Sequence, residues 1–558
     1  MPDIEAVGRA MKKKIFRDIC GRIAGFLTGV WAFLMLAVFP LFMKERYIRL
    51  GEYKYRFFLE ASAVLLPAGA CFFLYRAGGK DREGERRFSC LDWAMIFYLA
   101  AAAVSWLVSV DRNHAWSGTE GWYMGFRTQF LLVASYFMIS RCLCRKKVVF
   151  TGHYLASALV FLLGIWHRFG VDPLCLYEGI HENWQLLFLS TVGQASWYSS
   201  YVCIVLVIGV ADFFLEQRPV RRFFLGCYCV LGFSTVVTQN SDSAFSAMAY
   251  LFSGLFLVAC DSPDKTERFL ETLLLMLGSF KLMGCLRQIF PDRAVQLDGL
   301  SDFLAQSTSA WLLFLAVCVV YMLFLIYRQK NPEFYVRKGA RLMRRFAAGL
   351  MVAVPVCYAL AVWLNTTGRL GTWFGIRSTN RYLYFDSSWG NSRGFIWSFT
   401  WQAFREFSPF RMLFGVGPDC YPVYCYQEPG LGGQLNHFFG WDQTLTNAHN
   451  EFLNLLFCMG MIGLAAFCCA LAAAFGRFYK KNGQQLQDAY VLAGMLAVPV
   501  YAAHNFFCYQ QVCCAPFLFL LLGAAENSVR RKEADLQKNC AALAQDCPNE
   551  NDLSQHGT

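Results

Sequence analysis

The sequence predicts an all-α protein, a bundle of about 12 to 14 membrane-spanning helices with one long loop on the outer side. Three observations predict this fold class. Hydrophobic residues make up 56% of the 558 residues and charged residues only 16%, whereas soluble globular proteins have about 25% charged residues. Apolar runs of about 20 residues recur along the chain. The basic residues form short clusters between these runs, as they do in the cytoplasmic loops of membrane proteins.

The apolar runs occupy most of the chain between residues 23 and 526. A helix that crosses a membrane needs about 20 mostly apolar residues. The runs that meet or approach this length are residues 23–43, 57–75, 91–107, 128–140, 149–165, 196–214, 223–238, 243–260, 269–289, 308–327, 346–364, 450–476, 488–505 and 512–526. The first run is predicted not to be a cleaved signal peptide, because a basic segment precedes it and a small-residue cleavage site is missing.

These runs divide the chain into five parts. Residues 1–22 form a basic N-terminal segment, and residues 23–364 form a bundle of about 11 spans. Residues 365–449 form the long loop, where the chemistry is expected. Residues 450–526 add about three spans, and residues 527–558 form a polar tail that is predicted to be disordered.

The distribution of lysine and arginine sets the orientation. Most of the 51 basic residues fall in the two terminal segments and in alternate loops, which places both termini in the cytoplasm and the long loop outside the cytoplasmic membrane. One outward loop, residues 44–56, departs from this pattern because it contains five basic residues. Either this loop meets an anionic partner or an early span is miscounted. The agreement of the later loops favours an anionic partner.

Charge and cysteine content exclude several function classes. The net charge of +12 does not indicate nucleic-acid binding, because the basic residues belong to membrane loops. The chain has 23 cysteines, but most lie inside apolar runs, and neither a CxxC motif nor a Cys/His ligand set occurs. The sequence therefore predicts no metal site and no cofactor. Cys420 and Cys425, both in the long loop, could form a disulfide.

The basic residues of the long loop are all arginines. They are Arg369, Arg377, Arg381, Arg393, Arg405 and Arg411. Arginine binds phosphate or carboxylate through a planar fork of two parallel hydrogen bonds, whereas lysine acts as a point charge. The loop therefore predicts an anionic ligand at the membrane surface. The alternative is that these arginines extend to lipid headgroups or pair with Asp386, Glu406 and Asp419.

Residues 391–408 have the pattern of an amphipathic helix. Asn391 or Ser392 is expected to cap its start, and Ser408 is expected to mark its end because a proline follows. Its aromatic residues predict a position in the membrane interface or against the bundle. They are Phe395, Trp397, Phe399, Trp401, Phe404 and Phe407. The free backbone N–H groups at its N-terminus, beside Arg393, suit a phosphate.

His449 ends the long loop, and an apolar helix is expected to begin directly after it. A histidine titrates near neutral pH and can accept a proton from a sugar hydroxyl. The alternative is an interfacial histidine that only bonds a neighbouring carbonyl. His504 is a second candidate that lies deeper in an apolar run. His437, Asp442 and Glu451 are open as partners of His449.

Several stretches resemble the O-antigen ligase and Wzy-type polymerase family, most strongly over residues 385–465. The arginine block of that family's long loop is similar to Phe385-Asp386, Trp389-Gly390, Arg393-Gly394 and Trp397. Its glycine turn is similar to residues 413–418, and its His-Asn motif is similar to residues 448–453, followed by Gly460 and Gly463. Upstream, residues 190–194 and 238–243 resemble its Gly-Asn and Ser-Arg blocks.

Two positions depart from the family pattern. Gln194 stands in the Gly-Asn block, and Asp242 stands where many members have an arginine. A carboxylate cannot bind phosphate as an arginine does. One of the arginines in residues 369–381 is therefore the candidate replacement.

The resemblance implies a metal-independent membrane glycosyltransferase with a GT-C-like fold. Its donor would be a glycan on undecaprenyl diphosphate, its acceptor a glycan, lipid or protein, and it would act on the outer face of the cytoplasmic membrane. By the same resemblance, Arg393 would hold the diphosphate as it leaves, and His449 would activate the acceptor hydroxyl. The expected substrate contacts are Arg377, Arg381, Trp397, Asn450 and Glu451.

Three functions are open at this point: a ligase or polymerase, a transporter or flippase of lipid-linked glycans, and a non-catalytic relative. Ligase and polymerase use the same donor chemistry, so the sequence does not separate them. A transporter would need polar residues at mid-membrane positions and an internal repeat, but few charges lie away from the ends of the runs, among them Glu60 and Lys281, with Arg287 near an end. Asp242 favours the non-catalytic relative.

Overall fold

The computed structural model describes residues 4–77, 88–144, 146–331, 337–380, 382–483 and 488–546. Helices dominate this part of the chain. Its only strands are β1 (Phe188–Leu189) and β2 (Gly193–Gln194), which pair antiparallel as one short hairpin. The predicted all-α class is confirmed.

The helices follow the apolar runs of the sequence. In the first half they are α1 (Ile4–Phe33), α2 (Leu50–Ser62), α3 (Leu65–Ala77), α4 (Cys90–Leu107), α5 (Arg112–Ser117), α6 (Phe126–Cys142), α7 (Lys146–His167), α8 (Glu182–Gln185), α9 (Ala195–Leu215), α10 (Pro219–Thr238), α11 (Ser243–Ala259) and α12 (Pro263–Ile289). In the second half they are α13 (Gly299–Gln306), α14 (Thr308–Lys330), α15 (Arg337–Thr366), α16 (Arg369–Phe374), α17 (Trp389–Arg405), α18 (Pro409–Phe414), α19 (Tyr421–Gln427), α20 (Pro429–Phe439), α21 (Glu451–Gly483), α22 (Ala489–Asn505) and α23 (Ala515–Asp546). A π-helical turn, Leu34–Val38, extends α1. Each predicted run coincides with one helix or with two consecutive helices.

Ten helical segments among the described residues are long and apolar enough to cross a membrane. Helices α6, α11 and α22 are also largely apolar but have only 17 residues each. Helix α23 becomes charged in its second half. The sequence predicts about 12 to 14 spans, and these four helices account for the difference from the ten segments. The chain is a polytopic all-α membrane protein.

The core of the bundle lies around α9 and α22. Nearly every residue of α9 is buried, and α22 packs against α9, α11, α21 and α23. At the periphery, α14 and α15 expose most of their apolar side chains, as helices that face lipid do. Helix α22 therefore carries the chain from the core into the loop that follows Asn505.

The segments that the sequence places in the cytoplasm meet at one end of the bundle. There the buried Asp92 pairs with Arg141 at 3.1 Å, and Glu526 pairs with Arg477 at 2.5 Å. These pairs join α4 to α6 and α21 to α23. Because α21 runs from Glu451 to this end, the long loop that precedes α21 lies at the opposite end of the bundle.

The polar tail is ordered further than the sequence predicts. Helix α23 continues to Asp546, so the predicted disorder of residues 527–558 is wrong for most of that segment, and residues 547–558 lie outside the described part. In the first turns of the tail, polar side chains have partners on the neighbouring helices. One example is Ser528, whose hydroxyl accepts a hydrogen bond from Lys146 at 2.6 Å.

The basic loop at residues 44–56 has its charges matched inside the protein. All five of its basic side chains have an intramolecular partner. The contacts are Lys44 with the ring of Tyr53, Arg46 with Glu178, Arg49 and Arg56 with Glu52, and Lys54 with the carbonyls of Phe39 and Pro40. An external anion is therefore not needed to explain this loop, although the sequence favoured one.

A break in α21 receives the glycine turn of the long loop. Gly460 has φ 69° and ψ −173°, a conformation essentially confined to glycine, and it interrupts the helical hydrogen bonds. The freed carbonyl of Cys458 accepts the N–H of Gly417 at 2.8 Å and the hydroxyl of Ser105 at 3.1 Å. The turn that the sequence predicts at residues 415–418 is thus fixed on the helix that carries the site.

Replacing Gly460 with alanine is expected to lower the thermal unfolding temperature of the purified protein clearly. The backbone conformation is strained for any residue with a Cβ, and the new Cβ would overlap the carbonyl of Leu413. The matched control is Gly476→Ala in the same helix, where nothing lies within 4 Å of the new Cβ and alanine favours the helix by about 1 kcal/mol. Equal unfolding temperatures for the two variants would contradict this account of the break.

Candidate functional site

His449 lies in a turn that three asparagines hold directly before α21. Its backbone is left-handed, with φ 49°, and its N–H donates to Asn447 Oδ1 at 2.9 Å. Asn450 Oδ1 accepts a backbone N–H in the first turn of α21 at 3.0 Å, and Asn454 Oδ1 accepts the N–H of Ala448 at 3.2 Å. His449 therefore lies at the mouth of α21, where the sequence places it, on a turn with little freedom to move.

The imidazole of His449 lies in an aromatic and partly buried environment. It packs edge-on against Tyr509, with ring centroids 5.0 Å apart. Burial, and then the positive charge of Arg393, lower the pKa of His449 to about 3, so the ring is neutral at neutral pH. Among the described residues, neither ring nitrogen has a hydrogen-bond partner. The alternative of a histidine bonded to a carbonyl is therefore not observed.

Arg393 supplies a positive charge close to this imidazole. Its Nε donates to the carbonyl of Phe507 at 2.9 Å, and its Nη1 donates to the carbonyl of Gly390 at 2.5 Å. No ion pair of Arg393 occurs within the described part of the chain. Two carbonyl contacts fix the guanidinium without neutralising it, so its charge is available to an anionic ligand.

The carboxylates of the long loop are engaged elsewhere. Asp386 accepts the N–H and the hydroxyl of Ser388 at 3.0 and 2.8 Å, and Asp419 accepts backbone N–H groups. In the described ranges, no loop arginine pairs with these residues or with Glu406. The alternative in which the loop arginines pair with loop carboxylates is thus not what the structure shows.

The predicted amphipathic helix is α17, and its start differs from the prediction. Asn391 and Ser392 do not cap it, because both have left-handed backbone with φ of 60° and 67°, whereas a capping residue is extended. Together with Gly390 they form a non-helical turn within the bounds of α17, ahead of its regular part. The helix ends at Arg405, ahead of the predicted stop at Ser408, which instead caps α18.

One face of α17 packs against the bundle. Its buried side chains are Ile396, Phe399, Thr400, Ala403 and Phe404. The hydroxyl of Thr400 bonds that of Tyr421 at 2.8 Å, and Trp401 on the other side is 50% exposed. The sequence predicted that this helix lies either in the membrane interface or against the bundle. The buried face of α17 packs against the protein, including α21 of the bundle.

A short loop after α22 connects the two candidate residues. We call residues 506–511 the bridging loop. The carbonyl of Phe507 accepts from Arg393, and the ring of Tyr509 contacts the ring of His449. His449 and Arg393 thus both contact the bridging loop, which is distant from each of them in sequence.

Two further contacts fix the bridging loop. The N–H of Gln510 donates to Glu451 Oε2 at 2.5 Å, and just after the loop the N–H of Val512 donates to the carbonyl of Trp122 at 3.0 Å. The sequence does not predict this role. Its only signal is a pair of adjacent glutamines, at 510 and 511, between two apolar helices.

The structure brings Trp397 to the site. Its ring lies 5.3 Å from that of Trp389 and 6.1 Å from that of Phe507, between ring centroids. Its indole N–H is buried and has no hydrogen-bond partner among the described residues. Trp397 and Arg393 therefore both contact Phe507, and the role of Trp397 as a substrate contact stays a prediction.

The other predicted substrate contacts lie elsewhere. Asn450 and Glu451 are buried behind His449 and bond backbone N–H groups. Arg377 is exposed and its side chain lies over Gly371 in α16, and Arg381 lies outside the described residues. Only Arg393, His449 and Trp397 are thus brought together. His437 and Asp442, considered as partners of His449, are both exposed.

The upstream Ser-Arg block reaches the bridging loop through Ser243, whose hydroxyl accepts the thiol of Cys508 at 3.6 Å. His504 Nε2 bonds the hydroxyl of Ser243 at 3.2 Å and that of Ser199 at 2.9 Å. Asp242, in place of the family arginine, accepts the hydroxyl of Tyr382 at 3.4 Å. The start of α11 therefore faces the site, and His504 serves as a buried polar link at the end of α22.

A small polar cavity lies behind His449. Its lining includes Trp122, Asp419, Glu451 and Gln510, and its volume is about 20 Å³, room for about one water molecule. Asp419 accepts two backbone N–H groups, and burial raises the pKa of this residue to about 7.

Within the described residues, no three His, Cys, Asp or Glu side chains lie close enough together to hold a metal ion. Cys420 is a buried free thiol, as is Cys425, so the disulfide considered for them does not form.

Comparison with known proteins gives one result for this region. The family model described as O-antigen ligase matches residues 297–468, and no curated protein matches the chain. The matched segment contains Arg393, the glycine turn, His449 and the break at Gly460, but it ends before the bridging loop. The match confirms the resemblance in the sequence: residues 297–468, less than half of the chain, are similar to the O-antigen ligase family.

Proposed function

We propose that the protein is a metal-independent membrane glycosyltransferase of the O-antigen ligase or polymerase type. It transfers or polymerises a glycan from an undecaprenyl-diphosphate donor on the outer face of the cytoplasmic membrane, with both termini in the cytoplasm. The observation that carries the proposal is that the bridging loop contacts both Arg393 and His449. Among the described residues, the imidazole has no hydrogen-bond partner and the guanidinium has no counter-ion.

Arg393 acts on the leaving group. When the bond between the anomeric carbon and the diphosphate oxygen breaks, its electron pair moves to that oxygen, and the negative charge of the diphosphate increases. A guanidinium already held by the carbonyls of Gly390 and Phe507 stabilises this charge without reorganising during the reaction. Arginine is suited to this task because it binds phosphate in a fork.

His449 acts on the acceptor. Its free ring nitrogen accepts the proton of the acceptor hydroxyl while the oxygen attacks the anomeric carbon. Burial is the larger cause of the low pKa of His449 and the charge of Arg393 the smaller one, so a donor diphosphate that neutralises Arg393 removes only part of this lowering.

A transport path through the bundle has less support. Of the charged residues in the spans, Lys281 donates to the carbonyl of Leu304 at 2.9 Å, near the end of the short helix α13. Arg287 similarly donates to the carbonyl of Val295. Both cations bind backbone, which is a structural role, so neither marks a substrate path.

An assay with two labels tests the proposal. Purified protein in vesicles receives a donor with one label on the undecaprenyl diphosphate and another on the glycan, together with an acceptor glycan. The proposed enzyme separates the two labels and releases free lipid diphosphate. Movement of both labels together across the bilayer would indicate a flippase, and labels that neither separate nor move would indicate a non-catalytic relative. The length of the product distinguishes a ligase from a polymerase.

A further inference from the structure

Glu451 is the first residue of α21 and lies two positions after His449. We infer that Glu451 is a positioning residue that fixes the bridging loop, and through it Arg393, relative to His449. The inference rests on the proposed function. It assigns a role to a residue behind the site, through a loop that lies outside the segment matched by the family.

The location of Glu451 excludes a direct substrate contact. Its side chain is 3% exposed, and its Oε2 accepts the N–H of Gln510 at 2.5 Å. This contact joins the start of α21 to the middle of the bridging loop.

Besides ring contacts such as that of Tyr509 with Trp122, the bridging loop has few other polar anchors at this point. One of them is the thiol of Cys508, which donates to the hydroxyl of Ser243 at 3.6 Å. Both polar atoms of the Gln510 side chain lack a hydrogen-bond partner among the described residues, so the backbone N–H makes the polar contact of this residue. Before Gln510 in the chain, the carbonyl of Phe507 accepts a hydrogen bond from Arg393, and the ring of Tyr509 packs against the ring of His449. Loss of the Glu451 contact would therefore remove a polar anchor in the middle of the segment that supports the guanidinium.

The two sides of the site differ in how firmly they are held. His449 is in a turn that Asn447, Asn450 and Asn454 fix independently of Glu451. Arg393 depends on the bridging loop for one of its two backbone contacts. When the loop shifts, the arginine moves and the histidine stays. A shift of about 1 Å in a reacting group can lower a rate about 100-fold.

The test compares Glu451→Ala with Glu451→Gln in the release of labelled undecaprenyl diphosphate. Alanine removes the acceptor of the Gln510 N–H, and we expect kcat to fall about 100-fold with the KM for the donor within about threefold. Glutamine keeps an acceptor oxygen, so kcat should stay within about threefold of the wild-type value. The matched control is Glu428→Ala, an exposed glutamate of the same long loop.

Each other result contradicts the inference in a distinct way. If Glu451→Gln is as slow as Glu451→Ala, the charge or a proton of this residue matters, and positioning is wrong. A raised KM with unchanged kcat would make Glu451 a substrate contact. Wild-type kinetics in Glu451→Ala would leave it without a role.

A second pair of variants tests the same hydrogen bond from the side of Gln510, in case Glu451→Ala does not fold. A second readout, amide hydrogen exchange, does not depend on enzymatic activity. Gln510→Pro removes the N–H donor while Glu451 is intact, and Gln510→Ala keeps the donor. We expect Gln510→Pro to match Glu451→Ala and Gln510→Ala to match wild type. Amide hydrogen exchange in residues 506–511 should be faster in Glu451→Ala but not in Glu451→Gln. If wild type releases no lipid diphosphate, the proposed function fails, and the exchange result still decides whether Glu451 anchors the loop.

Discussion

Replacing His449 with alanine is expected to lower the rate of undecaprenyl-diphosphate release by about 10²–10⁴-fold, the usual contribution of a general base. The acceptor is an alcohol, and in this variant no group takes its proton. Donor binding should change little, because Arg393 is intact. The measurement is kcat for release of labelled lipid diphosphate from purified protein, with donor binding determined separately.

The control for this variant is His437→Ala. His437 lies in α20 of the same long loop and is exposed, so its loss should leave kcat unchanged. A His449→Ala variant that folds and retains more than a third of the wild-type kcat would show that another group accepts the proton.

Replacing Arg393 with lysine is expected to lower kcat by about 10²–10³-fold, comparable to the loss of a preorganised donor to a developing anion. The charge is kept, but one ammonium group cannot bond the carbonyls of Gly390 and Phe507 and also bind a diphosphate in a fork. The pKa of His449 should stay low in this variant, since burial is its main cause.

The same assay, run with donor and acceptor at saturation, measures this effect. Arg405→Lys is the control, because Arg405 is exposed at the other end of α17. If lysine at position 393 supports the wild-type rate, a positive charge alone is sufficient, and the fork geometry proposed for Arg393 is wrong.

The membrane fold can be predicted from the sequence because the thickness of the membrane fixes the length of each spanning helix. Apolar runs of about 20 residues have few alternatives to a helix in a membrane, and each run coincides with helices in the structure. The position of His449 follows in the same way. A polar loop that changes abruptly into an apolar run marks the mouth of α21, and Glu451 begins that helix.

The assembly of the site does not follow from the sequence. Arg393 and Phe507 are 114 residues apart, and no local pattern indicates that a carbonyl in the bridging loop accepts from this arginine. The start of α17 was predicted wrongly for a related reason. Asn391 and Ser392 are good capping residues by type, but the turn that presents Arg393 gives both a left-handed backbone.

Polar residues near His449 illustrate a second limit. Asn450 and Glu451 were expected to contact substrate because they neighbour the histidine in sequence. Consecutive residues at a helix start point in different directions, and these two are buried against backbone N–H groups. The arginine expected to replace the family residue at Asp242 stays a prediction, because Arg377 is exposed away from the site and Arg381 lies outside the described part of the chain.

The central claim is that Arg393 and His449 act in one transition state on one donor. The direct test is the rate of lipid-diphosphate release by wild type, His449→Ala, Arg393→Ala and the double variant. Residues that act as a unit are strongly non-additive, so the double variant should be no more than about threefold slower than the slower single variant. Losses that multiply in the double variant, or a wild-type rate in either single variant, would contradict the claim.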